Sequence, residues 1–327
     1  MLRVIAPGAL CTVQDLGRPG YQRFGVPVGG AMDPVACIIA NRLAGNPPSA
    51  ACLEITAGGA AFEVVAPCVI AVAGGDLGAT LGSRPLPTWT SAFVRTGQRI
   101  HFEARRSGAR AYLALAGGVD APLVLGSRST YLPGRFGGLG GRALQMDDVI
   151  RPASPPADPI RLAGRIWPKP VDYTPLIRIL PFHIPPDLPD LSDLNDLPDL
   201  NNLTALPWRV GATSNRIGLR LEGAVPHIER AGDLPSFGVF PGAIQLPPDG
   251  RPILLMADAQ PTGGYPVIAV AIQADLHRAA QLLPGDEVRF AWTTRDAAVA
   301  AWRALCELLD SPIAADEGVE LAAAAQG

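Results

Sequence analysis

Apolar residues along this chain fall in short runs rich in Val, Ile and Leu and bounded by Gly or Pro, which is the pattern of strands. Such runs predict strands at 2–5, 52–56, 62–65, 69–73, 100–103 and 111–116 in the first half, and at 176–180, 218–221, 253–256, 267–272 and 287–290 in the second. Helical spacing is confined to three segments. The clearest runs to Gly45, with Asp33 as N-cap, Pro34 at the first helical position, and Val35, Ile38, Ile39 and Leu43 on one face. A second helix is predicted over 275–283, capped by Asp275 and stopped by Pro284-Gly285. A third, over 295–309, carries Val299, Trp302, Leu305 and Cys306 at helical spacing and reads as a packing helix. With 36 Gly and 34 Pro, the chain reads as mainly β, built of barrels or sandwiches with a few short helices.

A length of 327 residues fits two lobes. A Pro-rich stretch over 151–175 reads as the linker, which divides the chain into an N-terminal β-barrel lobe at 1–165 and a C-terminal β-barrel lobe at 166–293. A helix and tail at 294–327 follow. Within the second lobe, residues 187–203 repeat in threes, with Leu at every third position and Asp one residue before each Leu up to Leu200. A period of three suits polyproline II or 3₁₀ turns, and the Pro and carboxylate content predicts an exposed insertion.

Composition removes several functions. A net charge of −3 without a basic run argues against nucleic acid or an anionic membrane as partner. The apolar runs are too short for a spanning helix, and Pro7-Gly8 interrupts any signal-peptide core, so a cytoplasmic location is expected. Five widely spaced cysteines read as free thiols, and four histidines lack ligand spacing, so no metal is expected. Lys169 is the only lysine and lies in the linker. That leaves no side chain for a P-loop, a Schiff base or a biotin attachment, and Gly137-Gly138-Leu139-Gly140-Gly141 then reads as a turn.

Four polar clusters carry the candidate chemistry. In Thr12–Tyr21, Gln14 and Arg18 present donors suited to a carboxylate or ureido oxygen, or an Asp15–Arg18 pair simply knits the loop. Around Gly29–Pro34, Asp33 caps a helix whose N-terminus suits an anion, with Asn41 and Glu54 nearby in the pattern. In Ser214–Gly223, Arg216 stands at the mouth of a strand as a ligand candidate. In the fourth, Gln245, Gln260, Thr262 and Tyr265 are placed to orient a ligand, and Gly263-Gly264 lets backbone amides approach it. Asp15, Asp33, Asp249 and Asp258 are the acid or base candidates, and no Ser-His-Asp or Cys-His arrangement points to a covalent nucleophile.

Taken in order, these segments resemble the biotin-dependent carboxyltransferase family, which includes the C subunit of 5-oxoprolinase, KipA-type regulators, the second subunit of allophanate hydrolase and the carboxyltransferase domain of urea carboxylase. The resemblance rests on TVQDLGRPGYQRFGVPVGGAMDP (12–34), CLEIT (52–56), RAYLALAGGVD (110–120), LGSRST (125–130), SNRIGLRLEG (214–223), PGAIQLPPDG (241–250), TGGYP (262–266) and QLLPGDEVRF (281–290). It implies two cyclophilin-like β-barrel lobes with the ligand site in a cleft. It also implies a complex with 5-oxoprolinase subunits A and B, the latter KipI-like, that opens 5-oxoproline to glutamate. ATP is then used by the complex and not bound by this chain alone. Carboxyltransferase relatives imply instead that carboxybiotin arrives from a separate carrier, and KipA-type relatives imply a regulator that binds a kinase inhibitor. Two departures stand out. Where the family has Arg-Gln-Thr-Thr-Gly-Gly-Tyr, this chain has Ala259-Gln260-Pro261-Thr262-Gly263-Gly264-Tyr265, and the Leu-Pro-Gly-Pro stretch is replaced by Leu180-Pro181-Phe182-His183.

Overall fold

The computed structural model describes residues 1–182, 201–223 and 235–315. The chain divides into two compact units. The first comprises Met1–Arg18, Gly29–Val171 and the segment from Glu307, and the second Pro19–Val28 and Asp172–Cys306. The change of unit near 171 lies a few residues past the boundary read from the Pro-rich stretch, and the 295–309 helix is shared between them instead of forming a separate tail.

The first unit is built from two antiparallel sheets. One has six strands in the order Val149–Ile150, Leu2–Pro7, Ala60–Val64, Arg99–Phe102, Ala79–Leu81 and Arg84–Pro85. The other has seven, in the order Leu10–Gln14, Cys52–Thr56, Ser107–Leu115, Cys68–Asp76, Thr90–Val94, Arg165–Ile166 and Ala314–Ala315. One core joins them: Leu2, Val4, Phe62 and Ile100 come from the first sheet, and Val13, Ile55, Ile70 and Leu113 from the second. The two central strands of the larger sheet are buried along almost their whole length. Helix α1 (Pro34–Leu43) lies against both. With both faces covered, alternation gives way to a continuous apolar run, which is why these strands stand out in the sequence.

The second unit contains a closed barrel of seven strands. Its order is Leu176–Pro181, Val267–Ala271, Ala243–Gln245, Ile253–Leu255, Gly218–Glu222, Trp208–Val210 and Glu287–Trp292, and the last strand returns parallel to the first. Inward positions alternate with outward ones along 287–292, where Val288 and Phe290 are buried between exposed Glu287 and Arg289. The 187–203 insertion lies outside the described residues except for its last positions, which open the short helix α2 (Asn201–Ala205).

Three expectations change. The stretch read as a free linker is tied down: Ile166 pairs with Thr90, and Trp167 is buried. Asp275 precedes helix α3 (Leu276–Ala279) but does not cap it, because its carboxylate accepts from the backbone N–H and guanidinium of Arg178. Helix α4 (Arg295–Leu309) forms as predicted, yet none of its residues is buried, and Val299 and Trp302 are 43% and 40% exposed. Among the described residues no helix is long and apolar enough to cross a membrane.

Candidate functional site

In the first unit, Gln14 ends the strand Leu10–Gln14, which the sequence presented as a loop, and Asp15 follows it. Its polar residues point inward because distant partners receive them. The Asp15 carboxylate accepts from the hydroxyls of Ser127 (2.6 Å) and Ser129, from the Gly17 amide at 2.8 Å and from the Arg128 amide at 2.6 Å. No Asp15–Arg18 pair forms among these contacts. Arg18, only 1% exposed, donates instead to the carbonyls of Ser129 and Val124 and stacks 5.0 Å from the centroid of Phe136. Gly137 turns with φ +74°, and a Cβ there would lie 1.9 Å from the Ser129 carbonyl, so the Gly run is a turn pressed against the loop that receives Asp15 and Arg18. Gln14 is fully buried. Its amide nitrogen donates to Thr12 Oγ1 (3.0 Å) and the Thr130 carbonyl (3.2 Å), while Oε1 has no partner.

A second buried node surrounds Glu54. Its Oε2 accepts from the Tyr112 hydroxyl at 2.7 Å and the Met32 amide at 2.8 Å, and its Oε1 lies 3.9 Å from Arg110 Nε. The Tyr112 oxygen also accepts from the Asp33 amide at 2.8 Å, and Asp33 caps α1 through the Ala36 amide at 2.9 Å. Asp33 is therefore a helix cap tied to Glu54 through one phenol. Burial pushes the Tyr112 phenol well above its ordinary value, reinforced by the charges of Glu54 and Asp33. Asn41 serves structure, donating to the Ala50 carbonyl at 2.7 Å.

In the second unit, Arg216 and Asp258 form a buried fork-to-fork pair, Nε to Oδ2 at 2.8 Å and Nη2 to Oδ1 at 3.1 Å. Two residues along, a polar rim of the second unit gathers six of the predicted residues. A register shift between Ile244 and Gln245 re-aims Gln245, whose amide nitrogen donates to the Tyr265 carbonyl at 3.3 Å. Gly263 sits against that side chain: a Cβ there would lie 2.7 Å from Gln245 Nε2 and 3.5 Å from Gln260 Nε2. A larger residue at 263 would have to displace the end of the Gln245 side chain. Thr262 and Tyr265 are exposed, and Gln260 and Gly264 half-buried, so the rim is open to solvent. Asp249 lies apart in an exposed turn, where it accepts from the Arg251 amide. Ala259 is 4% exposed within the cluster of Val239, Ala243, Ile253 and Leu255. The residue at which the resemblance leads one to expect Arg is thus a core methyl in this chain.

The structure brings Gln245, Gln260, Thr262, Gly263, Gly264 and Tyr265 together, and separately joins Gln14, Asp15 and Arg18 through the 127–130 loop. Sequence reasoning missed Tyr112, Arg110, Ser127 and Ser129. Their signal was present in the RAYLALAGGVD and LGSRST segments, where polar groups interrupt otherwise apolar or turn-forming runs. Among the described residues no group of three or more His, Cys, Asp or Glu side chains is placed to hold a metal.

A mainly β chain in two units, one containing a closed barrel of seven strands and the other two antiparallel sheets over one core, defines the class of protein. Within it, the model of the carboxyltransferase domain, subdomain A and B, matches residues 24–292, and the chain belongs to that family. It is 36% identical to the C subunit of 5-oxoprolinase from Escherichia coli over 301 residues, covering 92% of this chain and 94% of that one. It is 33% identical to the C subunit of 5-oxoprolinase from Haemophilus influenzae, covering 89% and 90%. The crystal structure of the Kluyveromyces lactis urea amidolyase superposes with a TM-score of 0.82 at 30% identity over 94% of this chain, which spans only 20% of that larger protein.

Proposed function

We propose that this chain is the C subunit of an ATP-dependent 5-oxoprolinase complex that opens 5-oxoproline to glutamate in the cytoplasm. The observation that carries the reading is the nearly end-to-end correspondence with a protein of that name, 92% of one chain against 94% of the other. The rim of the second unit suits the chemistry. Ring opening breaks the lactam C–N bond, adds a water oxygen to the carbonyl carbon and releases the nitrogen as the amine of glutamate. Negative charge grows on the lactam oxygen as water attacks, and preorganised neutral donors favour that charge. Gln245, Gln260 and the backbone at Gly263-Gly264 supply N–H groups, and Tyr265 adds a hydroxyl at the edge. ATP falls to the A and B partners, since the single lysine, Lys169, lies outside both polar sites.

The test is ATP-dependent glutamate release from 5-oxoproline by this chain mixed with its A and B partners. Omitting this chain abolishes turnover. Gln260→Ala lowers kcat/KM by about tenfold to a thousandfold, the range for losing one donor to developing charge. Turnover that proceeds without this chain, or a Gln260→Ala complex as active as the wild type, overturns the reading.

A second reading, carboxyl transfer from a biotin carrier, is favoured by the superposition on the urea amidolyase. Under it, carboxybiotin is consumed, and the same amide donors hold a ureido oxygen. Loss of carboxybiotin in the presence of this chain and an acceptor, without glutamate formation, would select that reading.

A further inference from the structure

Away from both polar sites, two stacked residues of the first unit each carry a buried hydrogen-bond donor without an acceptor. Trp167 is 5% exposed, and its indole Nε1–H has no acceptor. Arg42 lies over the same ring, its guanidinium carbon 5.3 Å from the centroid, and its Nη1 is also buried without a partner. The other hand of the guanidinium is engaged, with Nη2 donating to the Ser311 carbonyl at 3.0 Å, and Ser311 is itself 3% exposed. Among the described residues no carboxylate pairs with Arg42. Its position in the last turn of α1 is favourable for a cation, but the helix end supplies Nη1 with no hydrogen bond.

Buried donors without acceptors are rare in native proteins, and two on one stacked pair ask for a shared acceptor. A guanidinium with an unfilled hand asks further that this acceptor be negative, because hydrogen bonds between charged partners are shorter and stronger than neutral ones. A neutral water meets the first demand and not the second. We propose that Trp167 and Arg42 form a subsite for a small oxyanion, a carboxylate or an inorganic oxyanion, accepting from the indole N–H and from Arg42 Nη1. The subsite joins the end of α1, the segment after Arg165–Ile166 and the chain at Ser311, so its occupant fastens three separate stretches of the first unit. It stands independently of the 5-oxoprolinase reading, and its test uses neither partner subunits nor turnover.

The experiment is an NMR titration of the uniformly ¹⁵N-labelled full chain with acetate, bicarbonate or phosphate, each replacing chloride at constant ionic strength. Loss of one indole resonance in Trp167→Phe assigns the reporter. The Trp167 resonance is expected to shift saturably with at least one of the three, and the responding anion distinguishes a carboxylate from an inorganic source. Arg42→Gln, which keeps a donor but removes the charge, is expected to weaken that binding by about tenfold or more. No shift with any anion, the result for a buried water only, overturns the proposal, as does an unchanged midpoint in Arg42→Gln. Thermal melting of the wild-type chain keeps the question open to refutation if Arg42→Gln does not fold. Binding to the native state raises Tm with the concentration of the responding oxyanion, and a Tm no higher than in chloride counts against the subsite.

Discussion

Asp15 in the first unit and Asp258 in the second are both buried carboxylates, 6% and 2% exposed, and the molecule accommodates them in opposite ways. Asp15 is surrounded by neutral donors, two serine hydroxyls and two backbone amides. Asp258 faces a guanidinium. A carboxylate held by many neutral donors shares its stabilisation among them, so losing one is tolerated. A carboxylate held by one fork depends on that fork, and removing either partner leaves a buried charge alone. The first arrangement builds a loop from small contributions; the second ties the turn after Ile253–Leu255 to the segment before Gly218–Glu222 with a single fork.

The largest expected effect follows from the ion pair. Asp258→Ala should lower stability by about 3–5 kcal/mol, measured by urea unfolding, because Arg216 is left buried without its counter-charge. Replacing both, Arg216→Met with Asp258→Leu, should recover most of that loss. A double variant as unstable as the single one would break the distinction. Next comes Ser129→Ala, which removes a hydroxyl that donates to Asp15 and accepts the Asp15 amide. It should cost about 1–3 kcal/mol by the same measurement, the range for orphaning a buried polar group.

Tyr112→Phe sharpens the contrast through pH. The phenol's folded-state pKa lies above its unfolded value, so its contribution is full below about pH 10 and is lost as pH rises further, with the folded state holding a proton that the unfolded chain releases. Unfolding free energy measured from neutral to alkaline pH should therefore fall more steeply in the wild type than in Tyr112→Phe. Equal slopes would remove Tyr112 as the source. The smallest effect is chemical: Cys11 and Cys52 are fully buried, with thiol pKa values raised by burial and, at Cys52, first by the contact with Cys37. They should resist maleimide in the native state while half-buried Cys306 reacts, as followed by intact mass.

Elements whose causes are local were legible in the sequence. Asp33-Pro34 starts α1 and caps it as expected, and the doubly covered strands announce themselves as unbroken apolar runs. What was hidden depends on distant partners. The strand Leu10–Gln14 reads as a polar loop because Gln14 and the adjoining Asp15 are satisfied by residues 127–130, more than a hundred positions away. Arg18 has the composition of a ligand-binding residue, yet its guanidinium donates to the Val124 and Ser129 carbonyls, which the sequence does not announce. Asp275 has the sequence context of a cap, yet Arg178 takes its carboxylate. Polar side chains state which bonds they are able to make, and the fold chooses among them.

The parallel seam of the barrel has a temporal consequence. Leu176 pairs with Arg289 and Ile179 with Trp292, so the strand made first is sealed only by the strand made last. During synthesis, every earlier strand of the barrel leaves the ribosome before the seam is able to form, and the sheet carries open edges until then. The first unit meets a similar delay at Arg165–Ile166, whose outer neighbour is Ala314–Ala315. A ribosome stalled before residue 287 should thus display a protease-sensitive nascent chain across the second unit, and release of the final strand should convert it to a resistant one.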